Sequence, residues 1–306
     1  MSNQSLLACA YRFSVKNIIS RSKGQSVVAS AAYISRSKIK DYQIGQTFDY
    51  SKHKSPALAT GVIAPTVAPE WATDIEQLWN RVQFVEYRKN AQFARPIELS
   101  LPHQLSNQEM VEMLGIYCRN TFVFDGMISH IALHRPESNG DYRNYHAHIL
   151  LTLRRINEQG FYGNKVREWN QKSLLCSWRE KWAILCAERL QALDLTLEAQ
   201  RWRYGHLTLN QQYIKAVERN DVEYQQACNR EPTRHKGFTL CALERKGIHS
   251  YVLEDRSIEQ SAYEKVKQEL ITEIEKQNIL VKEKIKIKKI CKSQHRVLVL
   301  DRTRIR

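Results

Sequence analysis

Two histidines one residue apart, His146-Ala147-His148, are the first group in this chain whose types and spacing could do chemistry. They lie in a run with strand-like alternation, so both imidazoles leave the same face of one strand. His134 falls near the end of a second β-patterned run, and residues 135–144 between them have the composition of a hairpin loop. A third ring can therefore stand beside the pair. Three neutral imidazoles suit Zn, Mn, Ni or Co, and a three-histidine set leaves positions open for water or a phosphate oxygen. An open site of this kind is catalytic in style. His130 shares the His134 face and competes for the third position. Glu98, on the polar face of another short strand, is a carboxylate partner for the ion or a ring N–H, unless it is an ordinary solvated strand glutamate.

Tyr33 is harder to read. It lies in Ser30-Ala31-Ala32-Tyr33-Ile34-Ser35-Arg36-Ser37-Lys38, mid-helix, where an aromatic residue usually packs in a core. Its small neighbours would let a polymer backbone approach. Arg36 and Lys40, one and two turns on, would make the same face cationic.

The elements that must hold these residues follow from pattern. Residues 11–19 alternate apolar and polar, as a half-buried strand does. A turn at 22–26 leads to a helix over 27–40 with Ser26 as its N-cap. A second turn surrounds Gly45. Residues 70–93 carry the apolar spacing of a helix, 96–102 form a short strand, and Ser106 caps a helix running to about Thr121. Strands over 127–134 and 145–154 bear the histidines, with the face carrying Ile128, His130, Ala132 and His134 the less apolar. Beyond Gly160 the chain turns helical, over 173–193, 207–228 and 256–290. The expected fold is α+β, a central antiparallel sheet with flanking helices to about residue 200, followed over 201–306 by a helical, basic C-terminal region.

Bulk properties narrow the partner. The 306 residues carry a formal net charge of +15 and 42% hydrophobic residues. Such a balance supports a core and favours a polyanion, because basic side chains displace counterions condensed on nucleic-acid phosphates. The charge is concentrated at the ends: residues 1–54 hold nine Lys/Arg against Asp41 and Asp49, and residues 279–306 hold ten against Glu283 and Asp301. The basic stretch Lys282 to Lys292 reads as a second contact for DNA or a partner, or as a solvated amphipathic helix. Seven scattered cysteines, without a Cys-x-x-Cys pair, suggest neither a disulfide framework nor a cysteine metal site. No apolar run approaches the roughly 18–20 residues that cross a bilayer, and the apolar stretch near the start is too short for a signal-peptide core. A cytoplasmic protein is expected.

Several motifs in order give the chain a resemblance. Phe13-Ser14-Val15-Lys16, residues 20–26, Ala29-Ser30-Ala31-Ala32-Tyr33, Asp49-Tyr50, residues 90–95, Glu98-Leu99-Ser100-Leu101-Pro102 and Asn144-Tyr145-His146-Ala147-His148 resemble the MobA/MobL family of plasmid-mobilisation relaxases, within the HUH endonucleases. The resemblance covers about residues 10–190 and implies the palm-like sheet of those enzymes. It implies that Tyr33 is a nucleophile attacking a phosphodiester, that His134, His146 and His148 hold a divalent metal (Mg or Mn), and that Arg36, Lys38 and Lys40 lie near the DNA backbone. The substrate would be single-stranded DNA at an origin of transfer, with accessory mobilisation proteins and a coupling protein or secretion system as partners. Tyr42, Phe48 and Tyr50 would be stacking surfaces for unpaired bases. Two departures stand out. Tyr145 replaces the family's usual proline, and the interval from His134 to His146 is long, which keeps His130 as an alternative ligand. The competing readings are a non-catalytic basic accessory protein and an HUH replication initiator or transposase, in which the tyrosine follows the histidines instead of preceding them.

Overall fold

A computed structural model describes residues 11–137 and 140–230. Its strands are β1 (Phe13–Val15), β2 (Ile19–Ser20), β3 (Lys38–Asp41), β4 (Gln46–Asp49), β5 (Ala57–Ile63), β6 (Gln92–Ser100), β7 (Ser129–His134), β8 (His146–Thr152), β9 (Arg155–Asn157) and β10 (Gly160–Tyr162). The helices are α1 (Val27–Ser35), α2 (Ile75–Val85), α3 (Asn107–Cys118), α4 (Lys172–Gln191), α5 (Thr196–Arg203), α6 (Leu209–Glu218) and α7 (Val222–Cys228). The central sheet runs β1-β6-β8-β7-β5, with β2 also on β6, and its pairings are antiparallel. The fold is α+β, built on a central antiparallel sheet with helices.

Apolar residues line both faces of that sheet. On one, Ile97, Leu99, Ile149 and Leu151 meet Met110, Met113 and Leu114 of α3 and Trp178 and Trp182 of α4. On the other, Ala94, Ile128, Ala132 and Leu150 meet Val27, Val28 and Ala31 of α1 and Leu78, Trp79 and Val82 of α2. The second face was expected to be the less apolar one. It is polar only at one end, and that gradient places the site.

Several boundaries differ from the sequence expectation. The strand at 11–19 is split into β1 and β2, both laid on β6. The helix expected to reach Lys40 stops at Ser35. There Ser35 Oγ bonds back to Ala31 O at 2.6 Å, and Arg36 turns left-handed (φ 51°) with its N–H on Ala32 O and Tyr33 O. Beyond it Lys38, Ile39, Lys40 and Asp41 alternate exposed and buried, a period of two that only a strand satisfies. Lys38 and Lys40 therefore leave the helix that carries Tyr33. The helix expected over 70–93 is shorter, starting at Ile75 under an Asp74 N-cap and ending at Val85, because Gln92 onward is needed in β6. The Ser106 cap is present as a capping box with Glu109.

The segment 207–228 is two helices. Asn220 breaks it with a φ of 58°, and Asp221 caps α7 while its carboxylate pairs with Arg201 at 2.6 Å. Gly205 allows a close approach: a Cβ there would collide with Tyr11 Cβ, and Tyr11 also sets its ring edge-on to Trp202. These helices belong to a unit ending at Arg230. The helix expected at 256–290 and the basic stretch Lys282 to Lys292 lie outside the described residues. Among the described residues no helix is long and apolar enough to cross a membrane, and Cys118, Cys176, Cys186 and Cys228 are free thiols.

Candidate active site

Register builds the site. On the second face Glu98 of β6, His148 of β8 and Ala132 of β7 stand in one row, and Ser100, His146 and His134 in the next. The three rings converge, with every pair of centroids 5.3 Å apart. Rings bound through one nitrogen each at about 2.1 Å around a common ion would have centres roughly 5 Å apart, so the spacing fits a single ion. Among the described residues no group of three or more His, Cys, Asp or Glu side chains, as they stand, is arranged to hold a metal ion. The rings are gathered around one point without forming a finished cage.

The donor chemistry also fits. His134 is almost wholly buried, yet its Nε2 has no hydrogen-bond partner. An orphaned nitrogen on a ring beside two other imidazoles suits an ion or a water bound to one. Burial pushes the His134 pKa down to about 4, helped by His148, His146 and Arg36 and opposed by a hydrogen bond to the Ile34 backbone. Burial likewise pushes His148 down to about 4, with His146 adding to the effect and Glu98 opposing it. Both are neutral near pH 7, the form that binds metals. His146 places Nδ1 3.1 Å from Asn144 O, so Nδ1–H donates to that carbonyl and the lone pair is on Nε2.

Glu98 is held between two cations, with Arg12 at 2.9 Å and Lys16 at 3.2 Å. Burial acts to raise its pKa, but Arg12, Lys16 and His148 outweigh it, so the net shift is downward and the carboxylate is charged. The sequence reading had missed Arg12 and Lys16. Their alternation with Ser14 was visible, but only the pairing of Ser14 with Glu98 shows that they flank that carboxylate.

Tyr33 is not a core aromatic. Ala31, Ala32 and Ile34 turn inward, while Tyr33 is 47% exposed. Its ring meets Tyr50 edge-on at 5.4 Å, and the Arg36 guanidinium lies 4.5 Å from its centroid. Arg36 Nη1 also donates to Tyr33 O at 3.1 Å, and its buried Nε has no partner. The same guanidinium acts electrostatically on both His134 and His148, helping to lower their pKa values.

Other candidates lie elsewhere. His130 shares the His134 face but sits deep in the core, its Nδ1 accepting a hydrogen bond from Trp79 Nε1 at 3.0 Å. It is not among the gathered rings. Lys38 and Lys40 are exposed on the β3–β4 hairpin, where the Lys40 N–H donates to Glu76. Tyr42 is exposed and donates to Glu76 at 2.6 Å, while Phe48 and Tyr50 pack partly against the core beneath α1.

Comparison with known proteins bears on this arrangement. The sequence model of the MobA/MobL family matches residues 25–246. The conjugal transfer protein TraA of Rhizobium radiobacter is 29% identical over 75% of this chain and 21% of its own length. The probable mobilization protein MobA of Bifidobacterium longum is 27% identical over 78% of this chain and 45% of its own. The chain thus spans less than half the length of either relative. A solved structure from work on the molecular basis of vancomycin resistance transfer in Staphylococcus aureus is 31% identical. It superposes with a TM-score of 0.54 over 60% of this chain and 93% of that one.

Proposed function

The chain belongs to the MobA/MobL family, and from that premise we propose that it is a relaxase that nicks one DNA strand at an origin of transfer through Tyr33. The observation that carries this reading is the exposed Tyr33 ring under the Arg36 guanidinium, which also acts on His134 and His148. The sheet is then the palm of an HUH nuclease.

In the proposed reaction the Tyr33 oxygen attacks the scissile phosphorus. A bond forms between that oxygen and the 5′-phosphate, the bond from phosphorus to the 3′-oxygen breaks, the phenol proton is lost, and the departing oxygen takes up a proton as a 3′-hydroxyl. One phosphoester replaces another, so no nucleotide cofactor is consumed and the reverse step reseals the strand. His134, His146 and His148 would hold a divalent cation, Mg or Mn, which supplies Lewis-acid polarisation of the non-bridging phosphate oxygens. Arg36 holds the tyrosine in line and offers its guanidinium to the phosphate as negative charge builds. Glu98, kept ionised by Arg12 and Lys16, positions His148. Lys38 and Lys40 contribute weaker phosphate contacts from the hairpin. Accessory mobilisation proteins and a coupling protein or secretion system are the proposed partners.

The test is a denaturant-resistant protein–DNA adduct on single-stranded oligonucleotides carrying a cognate origin, with Mg²⁺ or Mn²⁺. The wild type should form it and Tyr33→Phe should not. An unchanged adduct in that variant sinks the reading; no adduct from the wild type favours a non-catalytic DNA-binding accessory role.

A further inference from the structure

The end of the sheet remote from the histidines has its own cationic feature. Two adjoining depressions of about 620 and 1210 Å³ share Ile18, Asn90 and Gln92 in their walls. The first is also lined by Lys16, Lys23 and Arg95, and the second by Arg88, Arg154, Lys165 and Arg167, against only Glu86 and Glu168. Glu86 is already engaged by Arg154 at 2.6 Å and Lys165 at 3.0 Å. Lys23, Arg88 and Arg167 are exposed, and none makes an ion pair among the described residues. Unpaired surface cations along a depression are the footprint of a phosphate backbone.

A second observation names the polymer. Tyr87, in the wall of the larger depression, is 74% exposed, and Phe84, three residues earlier near the end of α2, is 85% exposed. Neither ring serves the core. The backbone that carries them is nonetheless fixed, because Arg21 donates to the carbonyl oxygens of Tyr87 at 2.6 Å, Arg88 at 3.2 Å and Gln83 at 3.3 Å. An exposed aromatic ring in the wall of a cationic depression, with a second exposed ring three residues before it in the chain, suits unpaired bases.

The feature is connected to the site. Lys16 both lines the smaller depression and pairs with Glu98. From Glu98 to Gln92 along β6 is roughly 20 Å at about 3.3 Å per residue. We propose that the two depressions form one groove for single-stranded DNA. It takes the strand that leaves the nick some six nucleotides or fewer away, at about 3.4 Å per nucleotide or more when extended. This location on the nicked strand rests on the nicking reading; the binding itself does not.

The experiment is fluorescence anisotropy with the full chain, a thymidine oligonucleotide of about 30 nucleotides and a duplex of equal length, over a salt series. The combined Lys23→Ala, Arg88→Ala and Arg167→Ala variant should bind the single strand about tenfold more weakly, with a salt slope shallower by about 2, since each phosphate contact contributes roughly 0.7. The combined Phe84→Ala and Tyr87→Ala variant should lose about five- to tenfold on the single strand and little on the duplex. Unchanged single-strand binding in both variants overturns the proposal. An equal loss on duplex and single strand in the aromatic variant overturns the stacking. Adducts at Tyr33 are scored on the same preparations with an origin-bearing oligonucleotide. A protein that binds through the groove but forms no adduct would thus remove the nicking reading and leave the groove standing.

Discussion

His130 and His134 lie on the same strand and face the same way, but their surroundings differ. Over His130 the roof is complete: Trp79 of α2 donates to its Nδ1, and Thr60 Oγ1 lies 3.5 Å from its Nε2. Burial pushes its pKa to about 3, and the ring is a neutral core residue. Over His134 the roof is ending, since α1 stops at Ser35 and the left-handed turn at Arg36 leads the chain away. There the neighbours are His146 and His148, and Nε2 is left without a partner. Register selects the face, and the length of the covering helix decides whether a histidine on it becomes structure or site.

That contrast can be broken from either end. At the open end, if His148 is a ligand as proposed, His148→Ala should largely abolish metal-dependent adduct formation by removing Lewis-acid help at the phosphate, while the urea midpoint changes little. If the variant unfolds and the wild type needs no metal, the open end is as structural as the closed one. At the closed end, Trp79→Ala should cost about 3–5 kcal/mol in urea unfolding, through the cavity and the unpaired His130 nitrogen. Trp79→Phe should cost less. A fully stable Trp79→Ala protein would mean that Trp79 does not seal the closed end.

Acid sharpens the same comparison. A histidine whose folded pKa lies below the unfolded value of about 6.5 is protonated first in the unfolded chain. Its contribution is complete above about pH 6.5 and declines as pH falls, to about 3 for His130 and about 4 for His134 and His148. Between pH 7 and 5, His130 alone should account for about 2 kcal/mol of lost stability. Unfolding curves of His130→Gln should show a correspondingly flatter pH dependence. An unchanged slope would mean that His130 is not the sealed, neutral group described.

Arg36 stands at the boundary between the two ends. Arg36→Gly should relieve the left-handed backbone by up to about 1 kcal/mol while slowing adduct formation about 10- to 100-fold. Added guanidinium should restore part of the rate, and Arg36→Lys should fall between, because it keeps the charge but not the planar stack. Loss of stability with retained rate would make Arg36 a structural cap only.

What the sequence made legible follows the same division. Period-two patterning placed His146 and His148 on one face, and the hairpin composition brought His134 beside them, because both signals are local. The choice between His134 and His130 was not local, since it depends on where Trp79 and the end of α1 fall on the sheet. Tyr33 read as a core aromatic because helical spacing alone cannot show that Ala31, Ala32 and Ile34 already fill the inward side. Arg12 and Lys16 were invisible as site residues, since their pairing with Glu98 needs the register of β1 on β6.

The smallest effect concerns Lys38 and Lys40, which a longer helix would have set beside Tyr33, the proposed nucleophile. On β3 they point outward from a two-stranded hairpin, and the Lys40 backbone is fixed by Glu76. An exposed lysine that meets one phosphate contributes a screened, sequence-independent attraction. Lys38→Ala combined with Lys40→Ala should therefore weaken single-strand binding only about twofold and lower the salt slope by about 1. The rate of adduct formation at saturating DNA should stay within about twofold, because neither charge adjoins the reacting phosphorus in the proposed site. A tenfold fall in that rate would mean that the strand crosses the β3–β4 hairpin on its way to Tyr33, and that the open end of the face reaches further than the three histidines mark it.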